Sequence, residues 1–332
     1  MQKSILLITT GGTIASRETP DGLVPEMDAA DLLAFAPALA RHYQIHTLEL
    51  MNLDSSNIQA EEWLIIARTV AAELPKYDGI VITHGTDTMA YTASALSFLL
   101  HDVKKPVVLT GSQMPIDAML TDARNNLYTA FAAVEYGIAG ISVAFDRHII
   151  RGCRAVKVRT MGFEAFESIN APYLAEVFAD GLHSYVPAAV PTDGPCVQLR
   201  DGLCNEVFLL KLIPGTNPRV FDMICAMGYR GVVIETFGAG GMHFLRRNLL
   251  ENLARLTGRG VAVVACSQCL YEASNLSIYE VGTRLLECGV IAANDMTTEA
   301  AVTKLMWALG QTQDPEEIKR IFFTNYCGEI TL

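Results

Sequence analysis

No uncharged apolar stretch of the 332-residue sequence approaches the roughly 20 residues that a membrane-spanning helix needs, so no span and no membrane partner are expected. Nor is there a basic stripe. The formal net charge of -11 argues against a protein that grips nucleic acid through its phosphates. H-E-x-x-H, G-x-G-x-x-G and any G-K-[ST] loop are all missing, so metal and cofactor are both expected to be absent. The eight cysteines are scattered, several in apolar segments, as small buried hydrophobes are in a reducing compartment. Cys266 and Cys269 make one C-x-x-C pair, but without a second pair or a nearby histidine it suggests neither zinc nor redox chemistry. The apolar run after Lys3 falls short of the roughly 7 to 15 residues of a signal-peptide core. It reads as a first strand, and the expected location is cytoplasmic.

What the sequence does contain is organised around Asp78 to Met89. Gly79 to Thr83 is a short β-branched run, the signature of a buried parallel strand. It breaks at once into His84, Gly85, Thr86, Asp87 and Thr88, ahead of a helix-like segment from Met89 to Leu100. A polar cluster there lies at the carboxyl end of a strand, where open α/β sheets bind ligands. An acid beside a hydroxyl at such a turn can equally do no more than cap the helix.

The same design recurs along the chain. Lys3 to Thr9 runs into Thr10-Gly-Gly-Thr-Ile-Ala15, where two glycines permit positive φ and leave Thr13 beside any ligand. Ser16 to Met27, rich in Pro and Gly, reads as a mobile loop over the crevice. Asp28 to Arg41 has helical spacing that Pro37 should kink or split. Gln44 to Met51 reads as a strand ending in the polar turn Asn52 to Asn57, and Glu62 to Leu74 as an amphipathic helix. Pro106 to Thr110 is a fourth strand, followed by Gly111-Ser-Gln-Met-Pro115 and a helix to Tyr136 capped by Thr121 or Asp122. Gly140 to Phe145 and Ile149 to Arg151 read as strands joined by a turn at Asp146 to His148. A lysine in a strand ordinarily faces solvent, and pattern alone gives Lys157 no catalytic role.

The fold class expected is α/β with two domains: a larger, mostly parallel sheet with flanking helices, then a smaller α/β domain. Proline and glycine between Asp180 and Asn205 mark the junction, drawn as 1–185, a linker at 186–205, and 206–332. After it, Glu206 to Leu212, Gly231 to Thr236 and Val261 to Ala265 read as strands. Helices are expected from Asn217-Pro218 to Met227, at Leu245 to Leu256, near Ile278 to Cys288, and at Thr298 to Leu309 and Pro315 to Phe323.

A threonine hydroxyl is a weak nucleophile until a base and an oxyanion pocket assist it. The turns bearing Thr13 and Thr86-Asp87 offer two hydroxyls, a carboxylate and glycine-flanked N–H groups, a set suited to acyl transfer from a small amide. Thr10-Gly-Gly-Thr-Ile-Ala15, His84-Gly-Thr-Asp-Thr-Met89, Asp54-Ser-Ser56, Thr110-Gly-Ser-Gln113 and the strand around Lys157 resemble the bacterial type I, cytoplasmic L-asparaginases. That resemblance, which runs the length of the chain, implies a homodimer or homotetramer acting on L-asparagine. It implies Thr13 as nucleophile, with Thr86, Asp87 and Lys157 as a second catalytic set. Asp54, Ser55 and Ser56 would hold the substrate's α-carboxylate and ammonium, assisted by Asp87, and Ser112 would line the amide side through its backbone. Gly85 and Thr86 would supply oxyanion N–H donors, and a neighbouring subunit would complete the pocket with Gly238 to Gly241 or Gln268 to Asn275.

Family members often place a tyrosine on the loop after the nucleophile, and the matching place here is Leu23. Lys157 acts as a base only if burial suppresses its charge by about 4 kcal/mol, which Asp87 opposes; otherwise it stays charged and orients Thr86. The alternatives are a glutamine-preferring amidohydrolase, the amidase component of a tRNA amidotransferase, and a non-catalytic metabolite-binding protein with Glu49 as a ribose-binding acid. His42, His46 and His84 are expected to be structural.

Overall fold

Gly79–Thr83 is buried at every residue, as a strand with helices on both of its faces must be. Around it the structure, a computed structural model describing residues 2–20, 22–190 and 194–331, builds an eight-stranded mixed sheet. Five strands are parallel, in the order Gln44–Leu53, Ser4–Gly11, Gly79–Thr83, Pro106–Thr110, Gly140–Phe145. By position in the chain that order is 2-1-3-4-5, which reverses direction between the first and third strands. Loops leaving those two strands diverge to opposite faces and open a crevice between them. The two strands are tied at both ends: at the crevice the Thr10 hydroxyl donates to the Thr83 carbonyl at 2.8 Å, and at the opposite, amino end Asp78 accepts from the Ser4 N–H at 2.8 Å.

Beyond Gly140–Phe145 the sheet turns antiparallel. Asp146 and Arg147 take φ of 42° and 66°, which suits a tight hairpin and returns His148–Arg151 against its neighbour. Ala175–Phe178 and Gly181–Ser184 extend that edge.

The helices follow their sequence signals with instructive exceptions. Gln59 and Glu62 form a capping box at the start of Ala60–Glu73. Pro37 splits its segment into Ala29–Ala34 and Pro37–His42, because a proline inside a helix removes a donor. Asp122 begins Ala123–Tyr136 without capping it through its side chain; Thr121 Oγ1 accepts from the Ala123 N–H instead. The stretch Ser16 to Met27, expected as a loop over the crevice, contains a paired hairpin, Ser16–Thr19 against Gly22–Pro25. Two N–H groups, of Glu26 and Met27, anchor it on the Ala15 carbonyl.

The chain divides into two compact units, Met1–Asp201 and Gly202–Leu332. Part of the stretch expected as a linker is bonded into the first unit: Gln198–Leu199 pairs with Leu100–His101, and the Arg200 N–H reaches the Leu99 carbonyl at 2.7 Å. The division after Asp201 falls inside the stretch 186–205 that composition marked.

In the second unit a four-stranded parallel sheet runs Val207–Lys211, Gly231–Thr236, Ala262–Ser267, Ile291–Ala292. The helix expected from Leu245 begins at Leu250, after Asn248 accepts the Leu250 N–H. Inside Thr298–Gln311 the Lys304 ammonium is fully buried and donates to Glu329 at 2.6 Å and to two carbonyls. Burial alone would push the Glu329 carboxyl up; the charge and hydrogen bond of Lys304 and the backbone N–H groups of Cys327 and Glu329 leave it below the usual carboxylate range. No helix among the described residues is long and apolar enough to cross a membrane.

Candidate active site

Thr13 starts a single 3-10 turn directly after the first strand. Gly11 and Gly12 reach it with φ of 99° and 82°, the left-handed region where a side chain is strained. Space forbids one too. A Cβ on Gly12 would lie 2.5 Å from the Gly85 Cα, and one on Gly85 would lie 2.6 Å from the Ser55 Oγ. The turns after the first and third strands therefore touch along their backbones at the sheet's reversal, and the third touches the Ser55 side chain of the turn after the second. Thr13 and Thr86, each next in sequence to one of these glycines, are neighbours.

The Thr86 hydroxyl and the Asp87 carboxylate share one cation. Lys157, at the end of the strand Ala155–Lys157, places its ammonium 2.8 Å from Thr86 Oγ1 and 2.5 Å from Asp87 Oδ1. Its side chain is 16% exposed, against 65% for Asp87, so the pair forms at the mouth of the site with the cation on the inner side. An ammonium only donates, so the contact with Thr86 is one in which the hydroxyl oxygen accepts.

His84 is wholly buried, and burial pushes its imidazole down to about 4 against a weaker pull from the Gly85 carbonyl. The neutral ring donates from Nδ1 to the Gly85 carbonyl at 2.7 Å and accepts at Nε2 from the Thr92 hydroxyl at 2.9 Å. The Trp63 indole N–H donates in turn to Thr92 at 3.0 Å. Because the peptide from Gly85 to Thr86 is trans, holding the Gly85 carbonyl toward His84 turns the Thr86 N–H the other way. His84 is thus structural, as expected, and its structure-making fixes a peptide of the site.

The remaining residues expected at the site are less free than their type suggests. Asp54 Oδ1 accepts from both the N–H and the hydroxyl of Ser56, at 2.8 and 2.5 Å, which caps its own turn. Ser55 is buried, and its carbonyl accepts from the Thr88 hydroxyl at 2.7 Å. Ser112 spends its hydroxyl on the Met114 carbonyl at 2.5 Å. Among the described residues the Thr13 hydroxyl has no hydrogen-bond partner, and Leu23 sits half exposed on the hairpin opposite Glu18.

Three polar roles were not foreseen from sequence. Asp122 accepts from the N–H groups of Gln113 and Met114, and Asn126 donates to the Gly111 carbonyl at 2.9 Å, so the pair clamps the turn after the fourth strand. Their i, i+4 spacing was visible, but their target was not. Gln113 itself reaches Thr86. Elsewhere, Cys266 is buried with its thiol pushed up to about 12, mainly by burial, while Cys269 is exposed; a shared reactive pair is not formed. Glu49 lines a cavity of about 280 Å³ together with Glu26 and Asp28, an acidic setting that repels a phosphate-bearing nucleotide.

An unengaged threonine hydroxyl beside an ammonium-bound threonine, on a sheet of this order, is equipment for acyl transfer, and the class so defined is the amide hydrolases. Residues 4–189 match the family described as asparaginase, N-terminal, and residues 206–322 match the glutaminase/asparaginase C-terminal domain. The chain belongs to the asparaginase family. It is 45% identical to an L-asparaginase of Thermococcus kodakarensis over 98% of this chain and 99% of that one. The solved structure of the thermostable L-asparaginase from that organism superimposes with a TM-score of 0.92 at 44% identity, covering 99% of each chain. L-asparaginase 1 of Escherichia coli is 34% identical over 99% of this chain and 98% of that one. A glutamyl-tRNA(Gln) amidotransferase component of Pyrococcus horikoshii is 38% identical over 98% of this chain and 76% of that one.

Proposed function

We propose that the protein hydrolyses L-asparagine to L-aspartate and ammonia, with Thr13 as nucleophile and Thr86, Asp87 and Lys157 as the supporting set. We further assign it to the type I, cytoplasmic branch, working as a homodimer or homotetramer. The observation that carries the reading is the backbone contact of Gly12 with Gly85, which sets an unengaged hydroxyl beside a threonine held by Lys157.

In this reading Thr13 Oγ attacks the side-chain amide carbon, and the carbonyl electron pair moves onto oxygen. The Thr86 N–H, fixed through Gly85 and His84, supports that oxyanion. Collapse of the adduct breaks the C–N bond, and nitrogen leaves as ammonia with the proton that Thr13 gave up. Water then cleaves the aspartyl ester by the same route and restores the hydroxyl. Lys157 stays an ammonium that orients Thr86, and Asp87, exposed at the mouth, meets the substrate's α-ammonium. Asp54, Ser55 and Ser56 hold the other end of the amino acid, and the Ser112 backbone meets the amide.

The amidotransferase relative keeps a glutamine-directed reading in play, but the higher identity to an asparaginase favours asparagine. Glutamine differs by one methylene, worth only about 1 to 3 kcal/mol of discrimination. Ammonia release from purified protein decides the matter. Asparagine should give the larger kcat/KM, Thr13→Ala should release none, and Thr13→Ser should retain some. An alanine variant with full activity overturns the nucleophile, and a larger constant for glutamine overturns the substrate.

A further inference from the structure

Gln113 bridges two parts of the site that no other side chain joins among the described residues. Its Oε1 lies 3.3 Å from Thr86 Oγ1, and its Nε2 lies 3.1 Å from the carbonyl of Gly162, in the 158–165 connection that follows Lys157. Its backbone N–H is held independently by Asp122 at 3.0 and 3.1 Å, so the turn does not depend on the side chain. That spare side chain is the unexplained feature.

We propose that Gln113 is a positioning residue: it fixes the direction of the Thr86 hydroxyl and tethers the 158–165 connection to it. The inference rests on the reading of Thr86 as part of the catalytic set. Hydrogen-bond chemistry dictates the direction. A carbonyl only accepts, so Gly162 must face the amide nitrogen of Gln113, and the amide oxygen must face Thr86. That oxygen also only accepts, so the single proton of Thr86 points at Gln113. Lys157, which only donates while charged, then meets one lone pair of Thr86, and the second lone pair is left for the substrate side. The chain of donors runs Lys157, Thr86, Gln113, Gly162 without a break. Gln113 thereby makes Thr86 an acceptor toward the reacting group, where an unrestrained hydroxyl would also turn as a donor.

The connection it tethers carries Met161, 86% exposed, and Phe163, 42% exposed. The base of this connection is closed by the Val158 N–H, which donates to the Ala165 carbonyl at 2.8 Å, and by the Arg159 guanidinium, which donates to the Glu164 carbonyl and to Glu167; among the described residues only Gln113 bonds to its 160–163 tip. A single amide is therefore a meaningful restraint on it.

Two substitutions separate the ends of the bridge. Gln113→Leu removes both, whereas Gln113→Glu keeps an oxygen for Thr86 and loses the donor for Gly162. Steady-state kinetics on asparagine should show kcat of Gln113→Leu down by about tenfold or more with KM within about threefold, and Gln113→Glu within about threefold of the parent in kcat. Trypsin should cut after Arg159 at least about fivefold faster in both variants, because both lack the tether. A purely structural role moves neither the kcat-against-KM split nor the rescue by glutamate. Thr86→Val serves as the control: full activity in that variant sinks the catalytic set itself. If Thr86→Val is inactive while Gln113→Leu keeps kcat within about twofold, or Gln113→Glu is as slow as Gln113→Leu, the positioning role is wrong. Unchanged cleavage at Arg159 overturns the tether.

Discussion

The Lys157 ammonium stands 2.8 Å from the Thr86 hydroxyl, and the same nitrogen neutralises Asp87, the next residue in the chain. One cation thus fixes two adjacent side chains of a turn 70 positions away from it. Lys157→Met keeps most of the stem's volume and deletes the charge. Turnover on asparagine is expected to fall by roughly 10²- to 10⁴-fold, the range of a positioned proton-handling or orienting group, while the melting temperature stays close to the parent's. Stability is spared because Asp87 is mostly exposed and can return to water. Near-normal kcat at neutral pH in this variant would remove Lys157 from the mechanism.

Gly85 carries a second prediction. A Cβ there would meet Ser55 Oγ at 2.6 Å, Ser55 Cβ at 2.7 Å and Gly12 Cα at 3.2 Å. Ser55 cannot step aside cheaply, since it is buried and its carbonyl is bonded to the Thr88 hydroxyl. Gly85→Ala should therefore push the Ser55 turn away from the Thr13 turn, raising KM by about tenfold or more and costing about 1 to 3 kcal/mol of stability. Kinetics and a denaturant midpoint check it; a variant with parental KM would show that the three turns need not touch.

Much of this site was legible because its parts obey local rules. The run Gly79 to Thr83 is apolar, β-branched and bounded by a turn, so its place in the sheet centre followed from pattern. The pair of glycines before Thr13 announced a left-handed turn, which φ at Gly11 and Gly12 bears out. Lys157 was not legible that way. Nothing in a strand's alternation says that a lysine will fold inward onto a turn 70 residues earlier, and only the family resemblance pointed to it. The role of Gln113 escaped for the same reason, since it reaches Thr86 and Gly162, and those of Asp122 and Asn126 escaped because pattern does not show that the helix start folds back onto the 111–114 turn. Composition did not reveal the strand pairing within Ser16 to Met27, because proline and glycine occur in a hairpin as readily as in an unpaired loop.

In the second unit the fully buried pair Lys304 and Glu329 is a stability device with no reach to chemistry on its own account. Removing one member strands the other charge in the interior. Lys304→Met is expected to cost about 3 to 5 kcal/mol, whereas Lys304→Met combined with Glu329→Gln should cost clearly less than the sum of the single changes. Urea unfolding followed by a probe within the second unit gives the comparison. Additive losses would mean that the two groups are held by their backbone partners and not by each other.

His84 supplies a pH dependence whose sign can be worked out. Its ring is neutral in the folded protein down to about 4, because burial disfavours the charged form, while in the unfolded chain it protonates near 6.5. Between those values the unfolded state binds a proton that the folded state refuses. This contribution to stability is therefore complete above about pH 6.5 and is lost as pH falls toward about 4, a decline of roughly 3 kcal/mol from this one residue. Below that point the folded protein takes the proton too, and His84 adds no further loss. His84→Gln cannot titrate, yet it can still donate to the Gly85 carbonyl that orients the Thr86 peptide. Unfolding free energies measured in urea at several pH values from 7.5 to about 4.5 should show a shallower decline for this variant than for the parent, whatever its offset at pH 7.5. Parallel declines would assign the acid sensitivity to carboxylates elsewhere and leave the His84 ring protonating as readily inside the fold as outside it.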